Sequence, residues 1–303
     1  MRMKLCMTVL LAWLVFCGST VAAVVPRIEV NPDGKGLKLL VFERSDHHRN
    51  YVDRGKILGD LYFNYLVDNK TYSVKLSDLQ SEILENTAGK IQIFWQLPAG
   101  VRLYQTFTVS GEEIEWDIEF FNRSHHTVNI LDMCLTVPIG AIDESVQACQ
   151  NLNRHFSLNG NSSFLYWIPY TGQGDILLMS MKKGTAMEYA TWDGKYYLHA
   201  TNVVDRASDT WRIPSTSKTV APYQRYLTGF NFTVAKDHTD LRGKLYDKGN
   251  VLVKVAPGMV VTPEMEVYCA LQTQLPVEQL TVECPEQIKV ANIGKTKRSE
   301  EHT

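Results

Sequence analysis

Apolar and polar positions alternate with period two over much of the chain beyond residue 23. The clearest run is Glu113–Phe121, where Ile114, Trp116, Ile118 and Phe120 alternate with Glu115, Asp117 and Glu119. Successive side chains of an extended strand point to opposite faces, so the apolar groups share one face and the carboxylates the other. Shorter β-branched or aromatic runs occupy Leu37–Glu43, Leu61–Val67, Tyr72–Leu76, Ile91–Leu97, Val101–Val109, Thr127–Val137 and Ser163–Ile168. They resume at Asp175–Met181, Ala186–Trp192, Tyr196–Thr201, Arg225–Val234, Val251–Val255 and Met265–Thr273. Turn residues separate them, and Asp193-Gly194 predicts a tight hairpin between Tyr189–Trp192 and Tyr196–His199. A single helix is predicted over Asp240–Lys248, with Thr239 as N-cap and Gly249 just past its end. No fixed-period repeat and no low-complexity linker interrupts the pattern. So many strands with one short helix predict an all-β chain: a large two-sheet antiparallel β-sandwich over residues 24–290.

Residues 1–23 follow a different pattern. Arg2 and Lys4 precede the apolar run Leu5–Cys17, and the small residues Val21 and Ala23 precede Val24. The run is shorter than the ~20 apolar residues of a spanning helix. A cleaved signal peptide is therefore expected, with a secreted, periplasmic or cell-surface product that has no membrane span. Phe16, bulky and directly before Cys17, argues against lipidation there.

Charge narrows the partners. With 31 Lys and Arg against 33 Asp and Glu, the net charge is -2, and no positive excess exists to neutralise nucleic-acid phosphates. At 45% hydrophobic and 21% charged residues, disorder and coiled coil are excluded too. Removal of the leader leaves Cys134, Cys149, Cys269 and Cys284. Their equal spacing suggests two local disulfide loops, Cys134–Cys149 and Cys269–Cys284, while buried free thiols are the alternative. Without Cys-x-x-Cys or a Cys/His cluster, neither zinc nor any other metal is expected.

Enzyme signatures are missing from the sequence. It holds no Gly-x-Ser-x-Gly elbow, no phosphate-binding Gly-rich loop and no His-Glu-x-x-His, so neither catalytic residues nor a cofactor are assigned. On a regular strand the pairs His47-His48 and His125-His126 would point apart and could not chelate one metal; in a loop they could, with solvated loop histidines the simpler reading. Glu115, Asp117 and Glu119 form either a carboxylate row for chemistry or, more simply, the solvated face of a sheet. Aromatic residues are more informative, because sugars stack their C–H faces on rings and offer hydroxyls to amides. Tyr166, Trp167, Trp192, Tyr197 and Asn161 are the candidate contacts for a polysaccharide or oligosaccharide; packing in the core is the competing reading. A mutarotase-type epimerase would need a His base and a Glu acid in one cleft, and His155 and Glu188 qualify by residue type. Glycosylation sequons begin at Asn69, Asn122, Asn161 and Asn231.

Leu158-Asn-Gly-Asn-Ser-Ser-Phe-Leu-Tyr-Trp-Ile-Pro169, Asp175-Ile-Leu-Leu-Met-Ser180 and Glu188-Tyr189 together resemble a β-sandwich signature of large exported bacterial proteins. Leu241–Lys248 with Gly249, and Pro257-Gly-Met259, are similar to the end of the same domain. The family is the six-hairpin glycosidase-like one, in which a supersandwich or mutarotase-like domain precedes an (α/α)6 barrel. The resemblance spans residues 28–290 and implies polysaccharide processing with the acid/base residues on the barrel. It carries no catalytic residue onto this chain, which has no helical region long enough for a barrel. The expectation is a non-catalytic module of a secreted carbohydrate-active enzyme, packing on a barrel beyond its C-terminus. A stand-alone lectin-like surface module is the alternative. Residues 291–303 read as the start of a linker and a non-native tail: one back-translation of Arg298-Ser-Glu-Glu-His-Thr303 resembles the start of a sequencing adapter.

Overall fold

A computed structural model describes residues 23–43, 49–140, 151–191, 193–205, 215–258, 260, 262–278 and 281. Its strands are, in chain order, β1 (Val25–Val30), β2 (Leu37–Glu43), β3 (Leu61–Val67), β4 (Lys70–Lys75), β5 (Ser81–Asn86) and β6 (Lys90–Gln96). There follow β7 (Val101–Ser110), β8 (Glu113–Asn122), β9 (Val128–Thr136), β10 (Leu152–Ser157), β11 (Phe164–Pro169) and β12 (Ile176–Met181). The last are β13 (Tyr189–Ala190), β14 (Lys195–Ala200), β15 (Lys218–Val220), β16 (Arg225–Ala235), β17 (Leu252–Ala256) and β18 (Tyr268–Gln272). Among the described residues two α-helices interrupt them, α1 (Thr201–Asp205) and α2 (His238–Asp247).

The expected all-β, antiparallel sandwich is present. An eight-stranded sheet runs β10-β11-β12-β16-β8-β7-β6-β5. A six-stranded sheet runs β13-β14-β9-β3-β4, with β15 added beside β9. Alternation decides which side chains meet between them. Trp116, Ile118 and Phe120 of β8, Phe230 and Phe232 of β16, and Trp95 of β6 face inward from the larger sheet, each essentially without exposure. Phe63 and Tyr65 of β3 reach them from the smaller sheet, with ring centroids 5.8 and 5.9 Å from Phe120. The outward carboxylates of β8 are solvated and ion-paired: Lys182 lies 2.6 Å from Glu115 and 2.7 Å from Asp117, and Arg225 pairs with Glu119. The simpler reading of that row holds.

Both large sheets belong to a compact unit that ends at Arg242; a second unit begins at Gly243 and contains the β17–β18 hairpin. Strands with no alternating signature, β5, β10 and β15, are short or lie at sheet edges, where one face needs no apolar partner. In β5 a bulge between Ile83 and Glu85 leaves Ile83 and Leu84 about half exposed. Helix α2 is capped by Asp237, whose Oδ1 accepts the Asp240 N–H at 2.8 Å, and not by Thr239. Gly249 does close it, at φ 79°, donating to the Tyr246 carbonyl at 2.9 Å. The expected single helix is joined by α1, one short turn that the run Tyr196–Thr201 concealed.

Asn122, the last residue of β8, has no exposed surface. Its Nδ2 donates to the carbonyls of His126, Val220 and Ala221 at 2.8, 3.0 and 3.1 Å, and its Oδ1 accepts the Ser124 N–H at 3.0 Å. This sequon asparagine is therefore consumed in tying the β8–β9 connection to β15. Asn122→Ala is expected to lower stability by about 2 kcal/mol, since it orphans buried carbonyls; chemical denaturation measures it.

Candidate functional site

Four neighbouring strands of the smaller sheet build a hollow on its outer face. The β3–β9 register slips between Asn64 and Tyr65, which pair with Asp132 and Ile130, so Leu131 is bulged out. The slip lets Met133 and Leu135 stay in the core while Asp132 and Cys134 turn outward together. Tyr62 and Asn64 of β3, Ser73 and Lys75 of β4, and Lys195 and Tyr197 of β14 surround them, enclosing about 330 Å³. Asp132 is 2% exposed and fully engaged. It accepts the Asn64 amide at 2.8 Å and the backbone N–H groups of Asn202 and Val203 at 2.9 and 3.3 Å, which anchors α1 on the sheet.

Electrostatics sort the remaining groups. Burial pushes the Cys134 thiol up to about 12, so it is an inert floor and not a nucleophile. We expect Cys134 to resist alkylation in the folded protein and to react only after denaturation under reducing conditions, as peptide mapping would read. Burial, with Cys134 beside it, also raises the Tyr197 phenol. Lys75 is held protonated by its hydrogen bond to Tyr62 and by Asp60, and its ammonium stands 5.4 Å from the Tyr62 ring centre. Lys195 is held protonated chiefly by Asp193, at 2.7 Å.

A second polar cluster joins the two sheets. His199 of β14 presents Nε2 to the Tyr226 hydroxyl of β16 at 2.9 Å and Nδ1 to the Thr216 hydroxyl at 3.0 Å. Thr216 in turn meets Glu188, through a short hydroxyl contact to Oε1 and through its N–H to Oε2 at 2.9 Å. An ionised carboxylate only accepts, so the Thr216 hydroxyl donates to Glu188 and its oxygen accepts from His199 Nδ1–H. Nε2 is left as the acceptor for Tyr226 O–H, which fixes the tautomer. Burial lowers the His199 pKa to about 4, with Lys218 opposing the charge as well. Glu188 is raised, first by burial.

The sequence candidates scatter across this architecture. Trp167 is a correction: it has no exposed surface, lies in the core, and donates its indole N–H to the Ile139 carbonyl at 2.9 Å. Its neighbour Tyr166 faces the other side of β11, where His155 stacks on its ring at 4.8 Å and 9° and takes one ring face. Asn161 is exposed in the β10–β11 turn. Of the saccharide-contact candidates among the described residues, Tyr197 alone lines the hollow. Tyr166 and Tyr197 therefore stand on different sheets and form no common platform. Trp192, Cys149, Cys284, His47, His48 and the 291–303 tail lie outside the described residues. Cys134 is buried and Cys269 is exposed on β18, each as a free thiol. The histidine that meets Glu188 is His199, reached through Thr216, while His155 lies against Tyr166. Sequence reasoning missed His199, Tyr62, Asn64, Lys75 and Lys195; only the outward phase of β3, β4 and β14 could have pointed to the last four.

No protein-family profile matches the chain, and no curated protein matches it. Among solved structures the fold is similar to that of a polysaccharide lyase, with TM-score 0.61 and 14% identity over 77% of this chain and 36% of that one. A galactose mutarotase related enzyme from Lactobacillus acidophilus superposes with TM-score 0.43 and 9% identity, over 70% of this chain and 96% of that one. For a GH36 α-galactosidase from Geobacillus stearothermophilus the values are 0.42 and 11%, over 75% of this chain and 41% of that one. The lyase shares the β-sandwich fold with this chain, which spans about a third of its length.

Proposed function

We propose that this chain is the non-catalytic β-sandwich module of an exported carbohydrate-active protein, whose chemistry resides in a further domain of the (α/α)6 type packed beyond it. One observation carries the reading: the sandwich superposes on a polysaccharide lyase at TM-score 0.61 while accounting for only 36% of that chain. The lyase thus carries this fold beside a larger remainder. The hollow on the smaller sheet supports a role in holding glycan, because it combines phenol rings, an amide, a hydroxyl and two ammonium groups. Its two carboxylates do not make an acid/base pair: Asp132 is occupied by three donors, which leaves Asp78 alone.

The test is to read the genomic sequence past the codon for Lys297 and to express both the extended protein and the chain ending at Lys297. Helical hairpins encoded downstream, with polysaccharide turnover by the extended protein alone, are the expected result. Turnover by the shorter chain would overturn the assignment. A gene that closes at Thr303, with glycan binding and no turnover, is the result a stand-alone lectin gives. Export predicts a mature N-terminus at Val24, which N-terminal sequencing reads directly.

A further inference from the structure

We infer that the second unit, which begins at Gly243, is stapled by a disulfide between Cys269 and Cys284. Its need for a staple is physical. The unit that ends at Arg242 buries an aromatic core between two sheets. From Gly243 onward, Leu245 and Leu252 are the buried apolar side chains among the described residues. The β17–β18 hairpin is a two-stranded sheet, and such a hairpin is marginal in water without a further strand or a packing partner. Small units with so little core are completed by disulfides, a metal or a partner.

Register places Cys269. It stands opposite Val255, two residues before Leu271, which stands opposite Val253, so all four side chains share one face of the hairpin. Cys269 is exposed there as a free thiol. Leu271 carries that face into an apolar hollow that Val251, Leu275, Pro276 and Val277 also line. The last three lie in the stretch between the two cysteines, which leaves β18 by a turn in which the Leu275 N–H donates to Thr273 Oγ1 at 3.0 Å. A bond from Cys269 to Cys284 closes this stretch into a loop and restrains apolar side chains that are now wet, Leu275 being 53% exposed. Cys134 does not compete, because it is buried on β9 in the other unit, to which Cys149 belongs as well. Cys284 is fifteen positions beyond Cys269 and in the same unit.

The chemistry is thiol–disulfide exchange with a disulfide oxidant. The Cys269 thiolate attacks one sulfur of the oxidant and releases the first thiol; the Cys284 thiolate then attacks the Cys269 sulfur and releases the second. One S–S bond forms and one breaks. Two protons and two electrons leave the protein thiols, and the oxidant departs as two thiols. An exported chain meets such oxidants in its compartment, so bond formation in the cell rests on the export reading above. The choice of partners rests on the unit itself. Once made, the link limits the conformations of the opened chain and so disfavours opening.

The test uses the full chain, purified with its thiols reduced and then treated with oxidised glutathione, so that export plays no part. Peptide mapping without reductant should show Cys269 joined to Cys284, with Cys134 unbonded. Trypsin cleavage after Lys254, an exposed residue of β17, should slow by at least about tenfold on oxidation, because cleavage there follows opening of the hairpin. Cys284→Ser should carry glutathione on Cys269 after the same treatment and show no slowing. Cys269 left as a glutathione adduct in the native chain, or joined to another cysteine or to a second chain, would overturn the inference. So would cleavage at Lys254 that the Cys269–Cys284 bond does not slow. Export is read separately, at the N-terminus, so the two readings fail independently.

Discussion

Trp167→Ala is expected to cost the sandwich about 3–5 kcal/mol, the range for removing a large aromatic side chain from a packed core. The indole is fully buried among the inward side chains of the eight-stranded sheet. Its N–H also satisfies the Ile139 carbonyl, so truncation adds an orphaned acceptor to the cavity. Gly140 packs so closely that a Cβ there would lie 2.8 Å from the Trp167 ring, and as a glycine it has no side chain to fill the gap. Denaturant unfolding measures the loss. A change below about 1 kcal/mol would contradict the core placement. Tyr197→Ala makes the useful contrast, because it removes a half-buried ring from the hollow and should weaken saccharide binding while melting shifts little. The two residues were equivalent as aromatic candidates in the sequence, and their opposite behaviour is set by which side of a strand each occupies.

Alternation made the sheets legible. It placed Ile114, Trp116, Ile118 and Phe120 inward and the β8 carboxylates outward, and it bounded β2 and β3 at the residues observed. It also implied that Tyr166 and Trp167, adjacent in one strand, could not share a surface; clustering around turns hid that consequence. What stayed hidden was of two kinds. Edge strands such as β5 and β10 bury little, so selection for packing leaves no period to read. The hollow draws residues from strands as far apart in sequence as Tyr62 and Tyr197, and a bulge at Leu131 that no local signal marks decides which β9 side chains face it. His199 was illegible for a further reason. A histidine in an alternating strand reads as surface, yet here bulging at Leu198 turns it toward Tyr226 of the opposite sheet.

That inward histidine is expected to make the fold acid-labile. His199 has an ordinary value of 6.5 and a folded value of about 4, because burial and Lys218 both disfavour its charged form. Between those values the unfolded chain takes up a proton that the folded chain refuses. Unfolding is therefore promoted as pH falls through 6.5, and the loss is complete below about 4. At 1.36 kcal/mol for each tenfold in the proton equilibrium, the span corresponds to about 3 kcal/mol. Glu188 acts in the opposite direction: its raised value means that the folded state welcomes a proton first, which relieves part of its burial cost as pH drops. The net acid loss in the native protein is accordingly smaller than the histidine contribution alone. Glu188→Gln should steepen the decline by removing that relief, while His199→Gln should flatten it by removing the group that refuses the proton. Unfolding free energies at pH 7, 5.5 and 4 for the three proteins test both signs at once. Parallel curves for His199→Gln and the native chain would show that His199 is not held neutral between the sheets, and the directional chain from Glu188 through Thr216 to Tyr226 would fail with it.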